Sequence, residues 1–372
     1  MNFKRAVIKV GSALIAPESH GCSGKYLLAI ARFITECHKA EREVILVSSG
    51  SVAAGRSLIK HGSPIPSIPT KQAMASVGQM KMMANWQRFF DVPCSQLLIT
   101  HGDLKDRERY INIKNTLRIL LDNGVIPIVN ENDTVATDEL KVGDNDNLAA
   151  LVALVSEADA LFILSDIDGV YDSDPRENPD AVMLPVIEQI NDEIYAMAGA
   201  TNNHIATGGM RTKIQAADKA VENGITTYIL NGSNSDVFDK LLQGENPGTC
   251  FKPSQAAVKA RKHWLKHTLK SNGKVFLDSG AVNAVVNKGA SLLPSGILAQ
   301  SGNFSSGDSI DIIDSDSHQI VAKGICQYGE HDLQRIIGHK SDEIHALLGY
   351  CPSKVIIHRD DMVIMTQSTN SM

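Results

Sequence analysis

The sequence predicts an α/β protein, with a mainly parallel open sheet covered by helices on both faces and a small, barrel-like β module after it. Three observations carry this. Strand-sized apolar runs alternate with helical stretches up to residue 252, the order that builds parallel sheets through crossover helices. Polar and glycine-rich clusters gather where those strands end, and open α/β sheets hold their ligands there. Beyond residue 273 the pattern changes to short strands separated by glycine turns.

Taken in order, Arg5 to Val10 reads as a first strand with Lys9-Val10-Gly11-Ser12 at its carboxyl end. A lysine there is unusual, because central parallel strands are normally apolar throughout. Residues 24–39 have helical spacing, and Val44 to Val47 is a second buried strand. It runs into Ser48-Ser49-Gly50-Ser51 and then small residues, a turn whose helix-start amides suit an anion. Three prolines make 60–69 a loop. A long helix follows from about Thr70 to Phe90, its methionines (74, 80, 82, 83) facing a core or a subunit interface. Cys94 to Thr100 is the third strand. Asp103 to Arg109 reads as a solvated turn before a helix over 110–123.

The fourth strand, from Val125 to Val129, runs into Asn130-Glu131-Asn132-Asp133. A second polar cluster, Gly143-Asp144-Asn145-Asp146-Asn147, precedes an apolar helix from Leu148. Asn and Asp also make turns and N-caps. Two such clusters so close together point instead to a pocket for a small polar substrate. The fifth strand, Ala160 to Leu164, ends in Ser165-Asp166, and Asp172 to Pro179 is a loop. After a short helix over 191–198, Thr207-Gly208-Gly209-Met210-Arg211-Thr212-Lys213 opens a helix to about Asn223. Paired glycines ahead of a helix, with a lysine one turn inside, form a phosphate-cradling arrangement. The segment is neither a Walker A loop nor a dinucleotide fingerprint. Thr226 to Leu230 is the sixth strand.

Residues 253–273 carry five basic and no acidic side chains and read as a linker helix. In the last module the expected strands are Lys274 to Leu277, Ile310 to Ile313, Ile320 to Ala322 and Val355 to Ile357, with a helix over 331–348. The expected domains are therefore 1–252, the linker 253–273, the β module 274–366 and a tail 367–372.

Composition bounds the class. The chain has 372 residues, 43% hydrophobic and 21% charged, with a net charge of −6. That supports two real cores and gives no global signature of a nucleic-acid or membrane-surface protein. The longest apolar runs are strand-sized, below the roughly 20 residues that cross a bilayer. Six scattered cysteines without a CxxC pair argue against zinc and a disulfide framework and fit a reducing, cytoplasmic setting. Cys22 has no evident partner base.

Two lysines, a glycine-rich helix start and an amide-and-carboxylate pocket suit phosphoryl transfer, where fixed cations and amides stabilise charge on the moving phosphoryl oxygens. No histidine base stands out. A carboxylate acceptor needs none, being ionised at neutral pH.

The blocks FKRAVIKVGSALI, VILVSSGSVAAGR, DRERYINIKNTLRILLDNGVIPIVNENDTVAT, KVGDNDNLAALVA and TGGMRTKIQAADKA resemble the glutamate 5-kinases of the amino acid kinase superfamily. GNFSSGDSIDI, AKGICQYGEHDLQRIIGHKSDEIHALLGY and HRDDM resemble the PUA domain attached to many bacterial members. The match covers essentially the whole chain, with Ser48 standing where threonine is usual. This resemblance implies ATP-dependent phosphorylation of the γ-carboxylate of L-glutamate, the first step of proline synthesis, with Mg²⁺ accompanying the nucleotide. It further implies feedback inhibition by proline.

Carried over by motif position, Lys9 contacts the phosphates, Lys213 stabilises the transferring group and Asp146 orients both lysines. Ser49, Asp133 and Asn145 hold glutamate. Ser165, Asp166 and the run Thr207, Gly208, Gly209, Met210, Arg211, Thr212, Lys213 hold the nucleotide, together with Lys9. A homo-oligomer is expected, and a glutamyl-phosphate reductase is the candidate recipient of the labile product. PUA domains bind RNA in the wider family, but residues 274–372 hold 7 Lys and Arg against 11 Asp and Glu. An acidic module lacks the basic footprint that phosphate contacts need. A stability or regulatory role is expected of it, and an RNA-binding accessory protein without kinase activity is the competing reading.

Overall fold

A computed structural model of the chain describes residues 3–17, 21–60, 62, 65–136, 145–198, 209–257 and 271–365. Most of the expected linker and the whole expected tail lie outside the described residues. The chain divides into two compact units, Met1–Val258 and Lys259–Met372.

The first unit is built on an eight-stranded sheet: β1 (Arg5–Val10), β2 (Glu43–Ser48), β3 (Cys94–Ile99), β4 (Ile126–Glu131), β5 (Ala160–Ser165), β6 (Val186–Ile187), β7 (Thr226–Asn231) and β8 (Thr249–Phe251). Their order is β3-β4-β2-β1-β5-β7-β8-β6. All pairs are parallel except β7 with β8. The six long strands match the sequence expectation. The two- and three-residue strands β6 and β8 do not appear in it, being too short to carry a period.

Alternation along β1 decides which side of the sheet each side chain serves. Ile8 joins a core with Leu46, Phe162 and Trp86, on the side of the helices Leu27–Lys39 and Ile68–Gln87. Val7 joins the other core with Ile45, Leu161 and Ile163, covered by the helices Asn145–Val155 and Met210–Glu222. Lys9 shares the parity of Val7, so it faces the second pair of helices. The chain leaves β1 towards β2, β4 and β3 on one side and returns to β5 on the other. The carboxyl end of β1 is therefore a topological switch point, the place where open α/β sheets hold their ligands.

Helix Ile68–Gln87 approaches the short helix Ser51–Gly55 at backbone distance. A Cβ on Gly78 would lie 1.9 Å from the Ser51 carbonyl oxygen, and one on Gly55 would lie 1.9 Å from that of Met74. Gly78→Ala is expected to force the helices apart and cost about 1–3 kcal/mol, read as a lower midpoint in urea unfolding. Asp103–Arg109, expected as a solvated turn, is mostly exposed, and its first residue, Asp103, closes a capping box with Thr100 at the head of a one-turn helix, His101–Lys105. The next helix starts at Arg107.

The second unit holds a five-stranded mixed sheet in the order β10-β9-β11-β12-β13. Its strands are β9 (Gly273–Leu277), β10 (Ile297–Gly302), β11 (Ser309–Asp314), β12 (Ile320–Ile325) and β13 (Met362–Ile364). Val355 to Ile357, expected as a strand, contributes one bridge between Leu292 and Ile357. The helix expected over 331–348 is two helices, Glu330–Ile336 and Ile344–Leu348. Gly338, at φ +78°, stands between them. No described helix in either unit is long and apolar enough to cross a membrane.

Candidate active site

The switch point collects side chains from the ends of β1, β2, β4 and β5 and from the starts of the helices Ser51–Gly55, Asn145–Val155 and Met210–Glu222. Lys9 reaches it from the end of β1, where Gly11 N–H donates to the Leu164 carbonyl at 3.1 Å and ties β1 to β5. Ser49 follows β2, and its N–H donates to the Val10 carbonyl at 3.0 Å. Gly50 then turns in the left-handed region at φ +100°, where a Cβ would also stand 2.9 Å from that of Ile15. The turn delivers Ser51, buried, whose hydroxyl donates to the carboxylate of Asp133 beyond β4.

At the centre lies Asp146, in the first turn of helix Asn145–Val155. Its Oδ1 is 2.6 Å from Lys9 Nζ and its Oδ2 is 3.2 Å from Lys213 Nζ. Exposures are 1% for Asp146, 3% for Lys213 and 5% for Lys9, so three charges are held almost out of water. Thr212 Oγ1 lies 2.8 Å from Asp146 Oδ2 and 2.8 Å from the Gly209 carbonyl. Burial would push the Asp146 carboxyl up, but the two ammonium groups outweigh it and hold the group at about 2. Burial pulls Lys213 below the ordinary lysine range, against the attraction of Asp146, with the nearby Lys9 charge adding to the depression.

Of the candidate substrate residues, Asn145 belongs to a connected run of carboxamides. Asn145 Nδ2 donates to Asn130 Oδ1 at 2.8 Å, and Asn130 Nδ2 donates to Gln79 Oε1 at 2.9 Å. Neither Asn130, Ser51 nor Gln79 is among the expected site residues. Asn130 lies inside the polar cluster, but Gln79 is one polar side chain in a methionine-rich helix, and its buried position is its only signal.

On the nucleotide side, Ser165 ends β5 and its hydroxyl donates to Asp166 at 3.0 Å. The charge of Asp166 is felt at Lys213. Helix Met210–Glu222 starts after Gly209 without a side-chain cap, and no atom of the described residues lies within 4 Å of where a Gly209 Cβ would stand. The N-terminal amides of a helix suit an anion. Met210 packs against the core beneath, and the Arg211 guanidinium lies 5.6 Å from the Tyr195 ring centre. Thr207, Gly208, Gly143 and Asp144 lie outside the described residues.

Comparison with known proteins identifies the lineage. A model of the amino acid kinase family matches residues 4–231, and a PUA domain model matches residues 273–348. Over 367 residues the chain is 52% identical to a glutamate 5-kinase of Idiomarina loihiensis, covering 99% of each chain. It is 51% identical to that of Salinibacter ruber over 98% of each. It is 47% identical to that of Xylella fastidiosa strain M12, over 98% of this chain and 96% of the relative. With about half of its residues shared from end to end, the chain belongs to the glutamate 5-kinases, a branch of the amino acid kinase family that here carries a C-terminal PUA domain.

Proposed function

We propose that the chain transfers the γ-phosphoryl group of ATP to the γ-carboxylate of L-glutamate, giving L-glutamyl 5-phosphate and ADP, the first step of proline biosynthesis. The observation that carries this reading is the buried Lys9–Asp146–Lys213 cluster at the sheet's switch point. A carboxylate oxygen of glutamate attacks the γ-phosphorus in line, and the bond to the bridging oxygen of ADP breaks. No proton needs to be removed, in keeping with a site built from lysines and amides. Lys9 and Lys213 face the negative charge on the phosphoryl oxygens, and Asp146 holds both ammonium groups in register. Their alignment is set before substrate arrives, so little reorganisation accompanies transfer.

Ser49, Asp133 and Asn145 hold glutamate in this reading, with the Asp133 carboxylate meeting the α-ammonium. Ser165, Asp166 and residues 207–213 hold ATP, its phosphates against the uncapped start of helix Met210–Glu222. The described residues contain no group of three or more His, Cys, Asp or Glu side chains able to hold a metal. Mg²⁺ fits as an ion arriving on the nucleotide, where it neutralises phosphate charge. The same reading takes 1–252 as the catalytic domain, 253–273 as a linker, 274–366 as the PUA domain and 367–372 as a tail. It also takes the enzyme to be cytoplasmic and homo-oligomeric, inhibited by proline, and to pass its product to a glutamyl-phosphate reductase. The acidic PUA unit has no nucleic-acid role in it; salt-sensitive RNA retention on filters would reverse that point.

The deciding assay is glutamate-dependent ATP consumption with hydroxylamine trapping, with and without proline. Glutamyl hydroxamate is the expected product, and activity only with another acceptor would move the chain elsewhere in the superfamily. Asp133→Ala is expected to raise the KM for glutamate about 10- to 100-fold, the loss of a charged hydrogen-bonded contact. The KM for ATP should hardly change, and an unaltered glutamate KM would remove Asp133 from the pocket.

A further inference from the structure

Gln79 is 8% exposed and sits midway along helix Ile68–Gln87, one residue after the glycine that touches Ser51. A glutamine costs more to bury than a leucine unless its amide is used. Gln79 uses half of it: Oε1 accepts from Asn130, while Nε2 is buried without a partner among the described residues. Keeping a polar side chain there is accounted for by what Oε1 does. By accepting from Asn130 Nδ2 it turns Asn130 Oδ1 to the other side, where that oxygen accepts from Asn145 Nδ2. The three carboxamides thus run in one direction, and Asn145 is fixed with its nitrogen on the Asn130 side and its carbonyl oxygen on the opposite edge.

An asparagine carboxamide is nearly symmetric in shape, so packing alone discriminates poorly between its two orientations. A hydrogen-bonding neighbour then biases the choice, and for Asn130 that neighbour is Gln79 Oε1. The same helix also braces the other side of the pocket, since its contact at Gly78 seats Ser51, which holds Asp133.

We propose that Gln79 is a positioning residue for the acceptor substrate, acting through Asn130 to set the orientation in which Asn145 meets an amino-acid acceptor. The inference rests on the substrate role given above to Asn145. It assigns to the long helix a part in acceptor affinity and none in nucleotide binding.

The test is Gln79→Met, which keeps the volume and removes the acceptor oxygen, assayed by the hydroxamate trap with glutamate and ATP varied separately. The expected result is a rise in glutamate KM of about tenfold, the equivalent of one hydrogen bond to a substrate-binding group. Turnover and the KM for ATP should stay near wild type. In an Asn145→Ala background the same substitution should add nothing, because the group it positions is gone. A merely structural role would instead lower the unfolding midpoint and move all constants together, with the same factor in both backgrounds. That outcome, or an unchanged glutamate KM, overturns the proposal. Failure of the wild-type protein to form hydroxamate from glutamate would overturn the proposed function, whereas a normal wild type with an unaffected Gln79→Met removes only Gln79.

Discussion

Lys213→Ala is expected to lower turnover by about a hundred- to a thousand-fold, the scale seen when one preorganised donor is taken from a developing anion, with little loss of stability. The two halves of that expectation have different origins. Lys213 is 3% exposed and burial already pulls its pKa down, so keeping it charged opposes folding. When it is removed, Asp146 retains Lys9 at 2.6 Å and the Thr212 hydroxyl at 2.8 Å. The buried carboxylate is left with a counter-ion, and the large cost of an orphaned charge does not arise. The fold therefore survives while the phosphoryl group loses a cation that acts on it in the transition state. Steady-state kinetics with thermal unfolding of the same sample separates the two. Turnover near wild type would exclude Lys213 from the transfer step, and loss of fold would show that the cluster is primarily structural.

How much of this was legible beforehand follows from the range of each interaction. Lys9 stood out because a lysine in an apolar strand has to be used, and strand parity then sends it to the face carrying Asp146 and Lys213. The polar ends of β1, β2, β4 and β5 were visible because ligand-holding ends break the apolar run. Gln79 was not visible, since its meaning comes from Asn130, which is 51 residues away in the chain. Nor was the meeting of Gly55 with Gly78, where two unremarkable glycines matter only because two helices touch. In the second unit the expected helix over 331–348 failed at Gly338, whose left-handed conformation interrupts an otherwise continuous apolar spacing. Val355 to Ile357 has strand composition but only a single bridging partner at Leu292. β-propensity describes fit to a pleated surface and does not supply the neighbour.

Asp146→Asn is expected to be the more damaging substitution, abolishing most activity and destabilising the first unit by about 3–5 kcal/mol at neutral pH, the usual cost of removing one partner from a buried ion pair. Two ammonium groups would then face each other with only a neutral amide between them. In the wild type the carboxyl sits at about 2, below the roughly 3.9 of an unfolded aspartate. A depressed carboxylate contributes stability that is complete above the unfolded value and is lost as pH falls through the folded one. The wild-type contribution should therefore be present above about pH 4 and fade towards pH 2. The variant should behave oppositely at the alkaline end. Without Asp146 the attraction that opposes the depression of Lys213 is gone, the unfolded chain binds more protons there than the folded one, and stability rises with pH. Urea midpoints should thus differ most near neutral pH and converge as Lys213 neutralises on the way to about pH 10. Convergence would assign the cost to buried charge and leave the helix packing intact. A constant gap across that range would mean that Asp146 acts by shape and hydrogen bonding, and the electrostatic account of the cluster would have to be abandoned.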